Sequence, residues 1–346
     1  MSAVSQTGSG LRTGPGAGYL ARISALLLLG ALFAKPSAGA NASLATANAD
    51  LQAGKADEAV AALREALSAD SRDPEANNLL CRVQFTLQQF EQASSYCEKA
   101  VQVAPQNARY HLWFGRTLGE RASRASFLTA FSLAKRTREE FETAVRLDPR
   151  DLDALTDLGQ FYTEAPGAIG GGMDKAEGVA KQMEALDPAR GQQMRGGLAE
   201  KNKDLDAAEQ EFKAAIAHAS HPAFQWMALA SFYRRHERWS DMEAAIKSGQ
   251  AAAARDRHSA VSLFNGASIL ARANRQPQLA IELYQSYLAS PDKTEEAPAF
   301  DAMVRLARLL NQTGDQAGAQ REKAAALALA HNFKPAQDLK PQDARN

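Results

Sequence analysis

Large apolar residues at 154–166 stand three, four and seven positions apart, as Leu155, Leu158 and Tyr162. Residues 223–239 repeat the spacing with Trp226, Leu229 and Tyr233. Such spacing places the side chains on one stripe of an α-helix, with polar residues on the remaining face. A small residue follows each central leucine, Gly159 in one copy and Ala230 in the other. It marks where a second helix backbone can come close. Downstream runs supply that second helix: Ala93, Cys97, Ala100 and Pro105 are spaced like Thr137, Phe141, Ala144 and Pro149, and Ala208, Phe212 and Ala215 continue the series. The proline closes the pair, because it cannot continue a helix. One pair cannot bury its own stripe, so neighbours must stack.

The period is 34 residues where it is clearest, as between Ala66 and Ala100. The chain resembles the tetratricopeptide repeat, a helix–turn–helix unit with a W-x2-L-G-x2-Y…A-x3-F…P pattern. That resemblance covers nearly all of 41–331 and implies an all-α, right-handed superhelical solenoid of about eight units. Their starts fall near 41, 74, 108, 152, 189, 223, 261 and 300. The remaining 332–346 is polar and proline-bearing and reads as a flexible tail.

Two units depart from the period. The third is about ten residues longer around 120–142, a stretch without glycine or proline, which predicts lengthened helices standing proud of the stack. The fourth gains about five residues in APGAIGGGMDKA, 165–176. A phosphate-binding loop needs G-x4-G-K-[ST] after a strand. Here Met173 and Asp174 separate the last glycine from Lys175, Ala176 follows, and no strand precedes. The stretch reads as an enlarged turn between two helices, with glycine supplying unusual backbone angles.

The N-terminal forty residues read as a secretory signal. Arg12 and Arg22 precede an apolar run at 23–34, and Ala38-Gly39-Ala40 fits a signal-peptidase site. Cleavage after Ala40 predicts a periplasmic or secreted protein with no stable membrane insertion; an uncleaved signal would leave an inner-membrane anchor. The segment contains three basic residues and no acid, so without it the chain holds three more acidic than basic side chains. That balance argues against nucleic acid, which needs a concentrated basic face.

Cys81 and Cys97 are the only cysteines. In the repeat register they are level across the two helices of the second unit. Packed helices then bring their Cα atoms within about 4–6 Å, which suits a disulfide in an oxidising compartment. Two buried thiols acting as small apolar residues are the alternative. His218 and His221 are close, but two ligands without a third make a poor metal site. No cofactor motif and no catalytic constellation is visible.

The resemblance implies that the first helix of each unit lines a concave groove through its second, fifth, ninth and twelfth positions. Those positions include Asn78, Arg82, Arg109, Arg116, Gln160, Gln193, Arg234 and Arg308. Arginines spaced along a groove can grip carboxylates with their planar forks. The expected function is therefore a non-enzymatic scaffold or adaptor that binds a protein or peptide in envelope assembly or secretion. Alternatives are a helper of polysaccharide biosynthesis or export that docks a synthase, and an enzyme with its site in the groove.

Overall fold

The structure, a computed structural model, describes residues 38–340. The expected signal segment therefore lies almost wholly outside the described residues. Those residues form 17 α-helices, two 3-10 turns and no strand. Sixteen of the helices make eight antiparallel pairs: α1 (Ala38–Gln52) with α2 (Ala56–Ala69), α3 (Pro74–Thr86) with α4 (Phe90–Val103), α5 (Ala108–Ala122) with α6 (Phe127–Leu147), and α7 (Leu152–Glu164) with α8 (Met173–Leu186). The second half continues with α9 (Pro188–Lys201) and α10 (Leu205–His218), α11 (Pro222–Arg235) and α12 (Trp239–Ala253), α13 (Ala260–Ala273) and α14 (Pro277–Ala289), and α15 (Ala299–Gln312) and α16 (Gln316–Leu329). The short α17 (Lys334–Gln337) follows.

Aspartates and prolines start many of these helices. Asp73 accepts from the Ala76 amide at 2.8 Å and Asp187 from the Arg190 amide at 3.1 Å, each with a proline at the next position. The carboxylate satisfies an amide left free at the helix start, and proline loses nothing where no intrahelical bond is due. Ala93, Ala208 and Ala230 are fully buried between paired helices.

The motif tyrosines do more than fill the stripe. Tyr162 donates its hydroxyl to Glu142 on α6 at 2.8 Å, and Tyr233 donates to Glu209 on α10 at 2.8 Å. Each thus ties one unit to the second helix of the unit before. Glu209 also pairs with Arg238 and with Lys213, and these partners, Arg238 foremost, hold its carboxyl down at about 2. A carboxyl depressed in the folded chain contributes stability above its ordinary value that is lost as pH falls toward about 2. Glu209→Gln is therefore expected to flatten the acid side of the stability profile between about pH 5 and 2, read from thermal unfolding against pH.

Turns differ more than helices. In the enlarged turn of the fourth unit a 3-10 turn spans Gly167–Ile169, and Gly170 adopts a φ of +94°, which a side chain disfavours. Gly171 passes against the carbonyl of Ala165, where no Cβ fits. Arg138 on α6 pins the loop by donating to the Ile169 carbonyl at 3.1 Å.

The last unit packs against the first. One apolar cluster joins Leu51, Leu63 and Leu80 of the first two units with Phe300, Val304 and Phe333 at the other end of the chain. Phe300 and Phe333 meet edge to face, centroids 4.8 Å apart. His331 binds Asp57 through both its ring and its backbone amide. The solenoid thus closes one turn on itself. The segment expected to fray from 332 departs from that reading over 333–340. Phe333 and Ala336 are fully buried, because the first unit supplies an apolar face for them.

Candidate functional site

Closure turns the open groove into a lumen. A cavity of about 680 Å³ is lined by Trp113, Arg116, Gln160, Phe161, Glu296 and Arg305 among others. A second, of about 580 Å³, shares Gln160 and Glu164 with it and continues to Met183, Gln193 and Met194. A third shares Glu296 and Arg305 and reaches Gln193 and Arg272.

The inner face combines aromatic rings with guanidinium groups. Trp113, itself buried, has the guanidinium carbons of Arg82 and Arg116 at 5.6 and 4.8 Å from its ring centre. Arg305 lies 5.1 Å from the Phe264 ring centre. Stacked guanidinium is weakly hydrated and suits such walls. These cations are already paired within the chain. Arg116 binds Asp157 at 2.5 Å, and Arg305 binds Asp301 at 2.7 Å. Burial in the lumen pushes the Asp157 carboxyl above the ordinary range, with Asp153 and Asp151 adding to it and Arg116 opposing.

Arg82 is the least accessible of the set. Its Nε donates to Glu295 Oε2 at 2.8 Å and its terminal nitrogen to Glu295 Oε1 at 2.6 Å. Both residues are buried, and Gln52 adds a hydrogen bond to the same carboxylate at 3.1 Å. Glu295 belongs to the segment 290–298 between α14 and α15, which carries Glu295 and Glu296 to the inner side of the turn.

The eight residues expected to line a groove are thus dispersed. Gln160, Gln193 and Arg116 face the lumen. Asn78 is fully buried on α3, and Arg82 is buried where the closed turn brings Glu295 against it, so neither is on an open surface. Arg109 is exposed and binds Glu75 of the previous unit at 2.5 Å. Arg234 is half-buried and Arg308 exposed, outside the three lumen cavities. Sequence reasoning missed Trp113, Arg305 and the pair Glu295–Glu296. SPDKTEEAP at 290–298 is a long, acidic, proline-bounded link between units, and that was the available signal.

The glycine-rich turn offers no phosphate cradle. Its amides are used within the loop: Gly171 donates to Pro166 and Gly172 to Tyr162, at 3.2 and 2.9 Å. Lys175 donates to the Gly170 carbonyl at 3.0 Å. His218 and His221 turn to different partners, Gln192 and Asp256. Ser259 donates to Asp256 and not to the imidazole, so this trio caps a turn and activates no nucleophile. Among the described residues no group of three His, Cys, Asp or Glu side chains could hold a metal ion.

Cys81 and Cys97 face each other across α3 and α4, paired, with Cα atoms 5.2 Å apart and both fully buried. Replacing both by alanine is expected to cost about 3 kcal/mol in the chain-entropy account of a loop this long. Opening free energies of α3 and α4 from hydrogen exchange, with and without reductant, check it.

A sequence model of the tetratricopeptide repeat family matches residues 50–112, and the eight stacked helix pairs extend the same unit along the chain. Residues 50–112 thus match the tetratricopeptide-repeat family, and the stacked helix pairs along the described residues have the fold of that repeat. Among solved structures, TTC0263, a thermophilic tetratricopeptide-repeat protein of Thermus thermophilus, is 22% identical, with a TM-score of 0.47 over 56% of this chain and 98% of that one. MamA is 21% identical, with a TM-score of 0.38 over 47% of this chain and 88% of its own. The human IFIT1 dimer with PPP-AAAA is 14% identical, with a TM-score of 0.41 over 80% of this chain and 69% of that one. No curated protein matches the chain. Tetratricopeptide-repeat proteins are generally non-catalytic scaffolds for protein–protein interaction.

Proposed function

We propose that this protein is an exported scaffold that holds a segment of a partner protein in the lumen of its closed turn, in envelope assembly or secretion. The observation that carries the reading is the inner wall. The adjoining cavities set Phe161 and Met194 near the amides of Gln160 and Gln193, and so offer apolar surface and amide hydrogen bonds. An extended peptide needs both: ring faces for side chains and amides for its backbone. Arg116 and Arg305 already have internal carboxylates, so recognition at these two rests on stacking and amides rather than on free cationic charge. Export is supported by the apolar run at 23–34 and by a cysteine pair placed for oxidation.

A photo-crosslinking residue at position 160, compared with one at the exposed Ser240 on α12, tests the reading in intact cells. A discrete adduct with one protein from position 160, absent from 240, is the expected result. Equal labelling from both positions, or none from 160, overturns the lumen as the binding surface. Fractionation of the same cells tests export separately, and a cytoplasmic chain retaining residues 1–40 overturns it.

A further inference from the structure

We propose that the tip of the third-unit hairpin docks on the surface of an anionic lipid bilayer. The lengthened α6 begins with two adjacent large apolar residues turned to solvent, Phe127 at 83% exposure and Leu128 at 81%. Phe131, one turn on, is also exposed. Core packing does not account for them: the buried side of α6 begins only at Leu133 and continues through Thr137 and Phe141. The extension thus lifts its apolar end clear of the stack as a convex wedge.

The charges around the wedge are ordered. Between Arg121 and Arg138 the chain holds five cations, Arg121, Arg124, Lys135, Arg136 and Arg138, and no acid. The carboxylates that pair with the four arginines lie outside that stretch: Glu91 and Glu98 on α4, Glu120 on α5, and Glu139 and Glu142 farther along α6. Side chains on a helix lean toward its N-terminus, which here is the tip. Lys135 does so, and its ammonium lies 4.6 Å from the centre of the Phe131 ring. Lys135 and Arg124 are both exposed; Arg124 is held by Glu120, so Lys135, against Phe131, is the cation that flanks the apolar end.

A wedge of this kind needs no complementary pocket. A bilayer interface takes up Phe and Leu at acyl depth while flanking Lys and Arg reach phosphate headgroups, and the two contributions add. No described helix is long and apolar enough to cross a membrane, so the contact is peripheral. Phe127, Leu128, Phe131 and Lys135 line none of the three lumen cavities, so the apolar tip and the proposed partner site can fail separately.

The full chain carrying Leu128→Cys is labelled with an environment-sensitive fluorophore, in parallel with Ser240→Cys, and the wild-type chain gives the background from Cys81 and Cys97. Residues 1–40 contribute equally to both proteins, so the comparison isolates the tip. Vesicles containing phosphatidylglycerol are expected to shift the emission at position 128 to the blue and shield it from iodide. Phosphatidylcholine vesicles, and the label at 240, are expected to show neither. Lys135→Glu should raise the vesicle concentration for half-shift by about 10-fold. Phe127→Ser should raise it by about the same factor. No shift at 128 on phosphatidylglycerol vesicles overturns the proposal. A shift that appears without lipid as protein concentration rises also overturns it, in favour of a second copy. A shift that needs an added protein partner overturns it in favour of that partner.

Discussion

Replacing Glu295 by alanine is expected to weaken the closure between the first and last units by about 3–5 kcal/mol. The carboxylate receives two hydrogen bonds from Arg82 and one from Gln52, and both charged side chains are more than nine-tenths buried. Removing one partner leaves the guanidinium of Arg82 inside the fold without its charge partner, and that desolvated charge dominates the cost. The pair itself contributes much less. Arg82→Met with Glu295→Leu is therefore expected to recover most of the loss, since a buried pair and an apolar pair of similar volume are close in energy. Native-state hydrogen exchange at α3 and at the start of α15 measures both variants, and a double-mutant cycle isolates the coupling. Equal losses in the single and double variants would mean that the pair, and not the stranded charge, carries the energy.

The closure has a consequence for binding. In an open array each unit touches only its neighbours, so the groove can widen by small rotations at every interface. Here the segment 290–298 fastens the last unit to the second, through Glu295, and to the first, through Gln52. Glu296 then stands in the lumen beside Arg116 and Arg305. A segment held there, as proposed, would meet a preformed wall in which Arg116 and Arg305 are already paired. Preorganisation of this kind lowers the entropic cost of binding and sharpens selection by shape.

The fold was legible because it is local. Leu155, Leu158 and Tyr162, or Trp226, Leu229 and Tyr233, specify a stripe within 13 residues or fewer, and Ala93, Ala208 and Gly159 mark the close approaches. The lengthened third unit was legible in part: the run around 120–142 lacks glycine and proline, yet the helix breaks at 123–126, and α6, at 21 residues, is long where α5, at 15, is not. The closure was not. Arg82 and Glu295 are 213 positions apart, and Gln52 and Glu295 are 243 apart. Their meeting depends on how small rotations between units accumulate over a full turn, which no single unit encodes. Counting register positions therefore placed Arg82 and Asn78 on an open face. Gln160, Gln193 and Arg116 do reach the lumen, where the later closure leaves the inner helices uncovered. The tail was misjudged for a related reason: Phe333 looks like one aromatic residue in a polar stretch until the first unit is brought against it.

Truncating Phe333 to alanine is expected to cost about 3–5 kcal/mol, in the range for a large aromatic removed from a packed core. Its ring is fully buried, meets Phe300 edge to face, and belongs to the cluster that holds Leu51, Leu63 and Leu80. Where the loss appears is more informative than its size. In an open solenoid a residue beyond the last pair can fray only that pair, because coupling passes through nearest neighbours. In a closed turn the same truncation removes a wall shared with the other end. Hydrogen exchange should therefore rise in α1, α2 and the start of α3 together with α15 and α16, while α7 to α10 stay protected. Faster exchange confined to α15 and α16 would mean that the two ends fold independently in solution. His331→Ala supplies a milder version of the same measurement, since it removes the imidazole hydrogen bond to Asp57 and leaves the apolar cluster whole. A small loss there, with the same pairing of distant segments, would show that the two contacts belong to one cooperative unit.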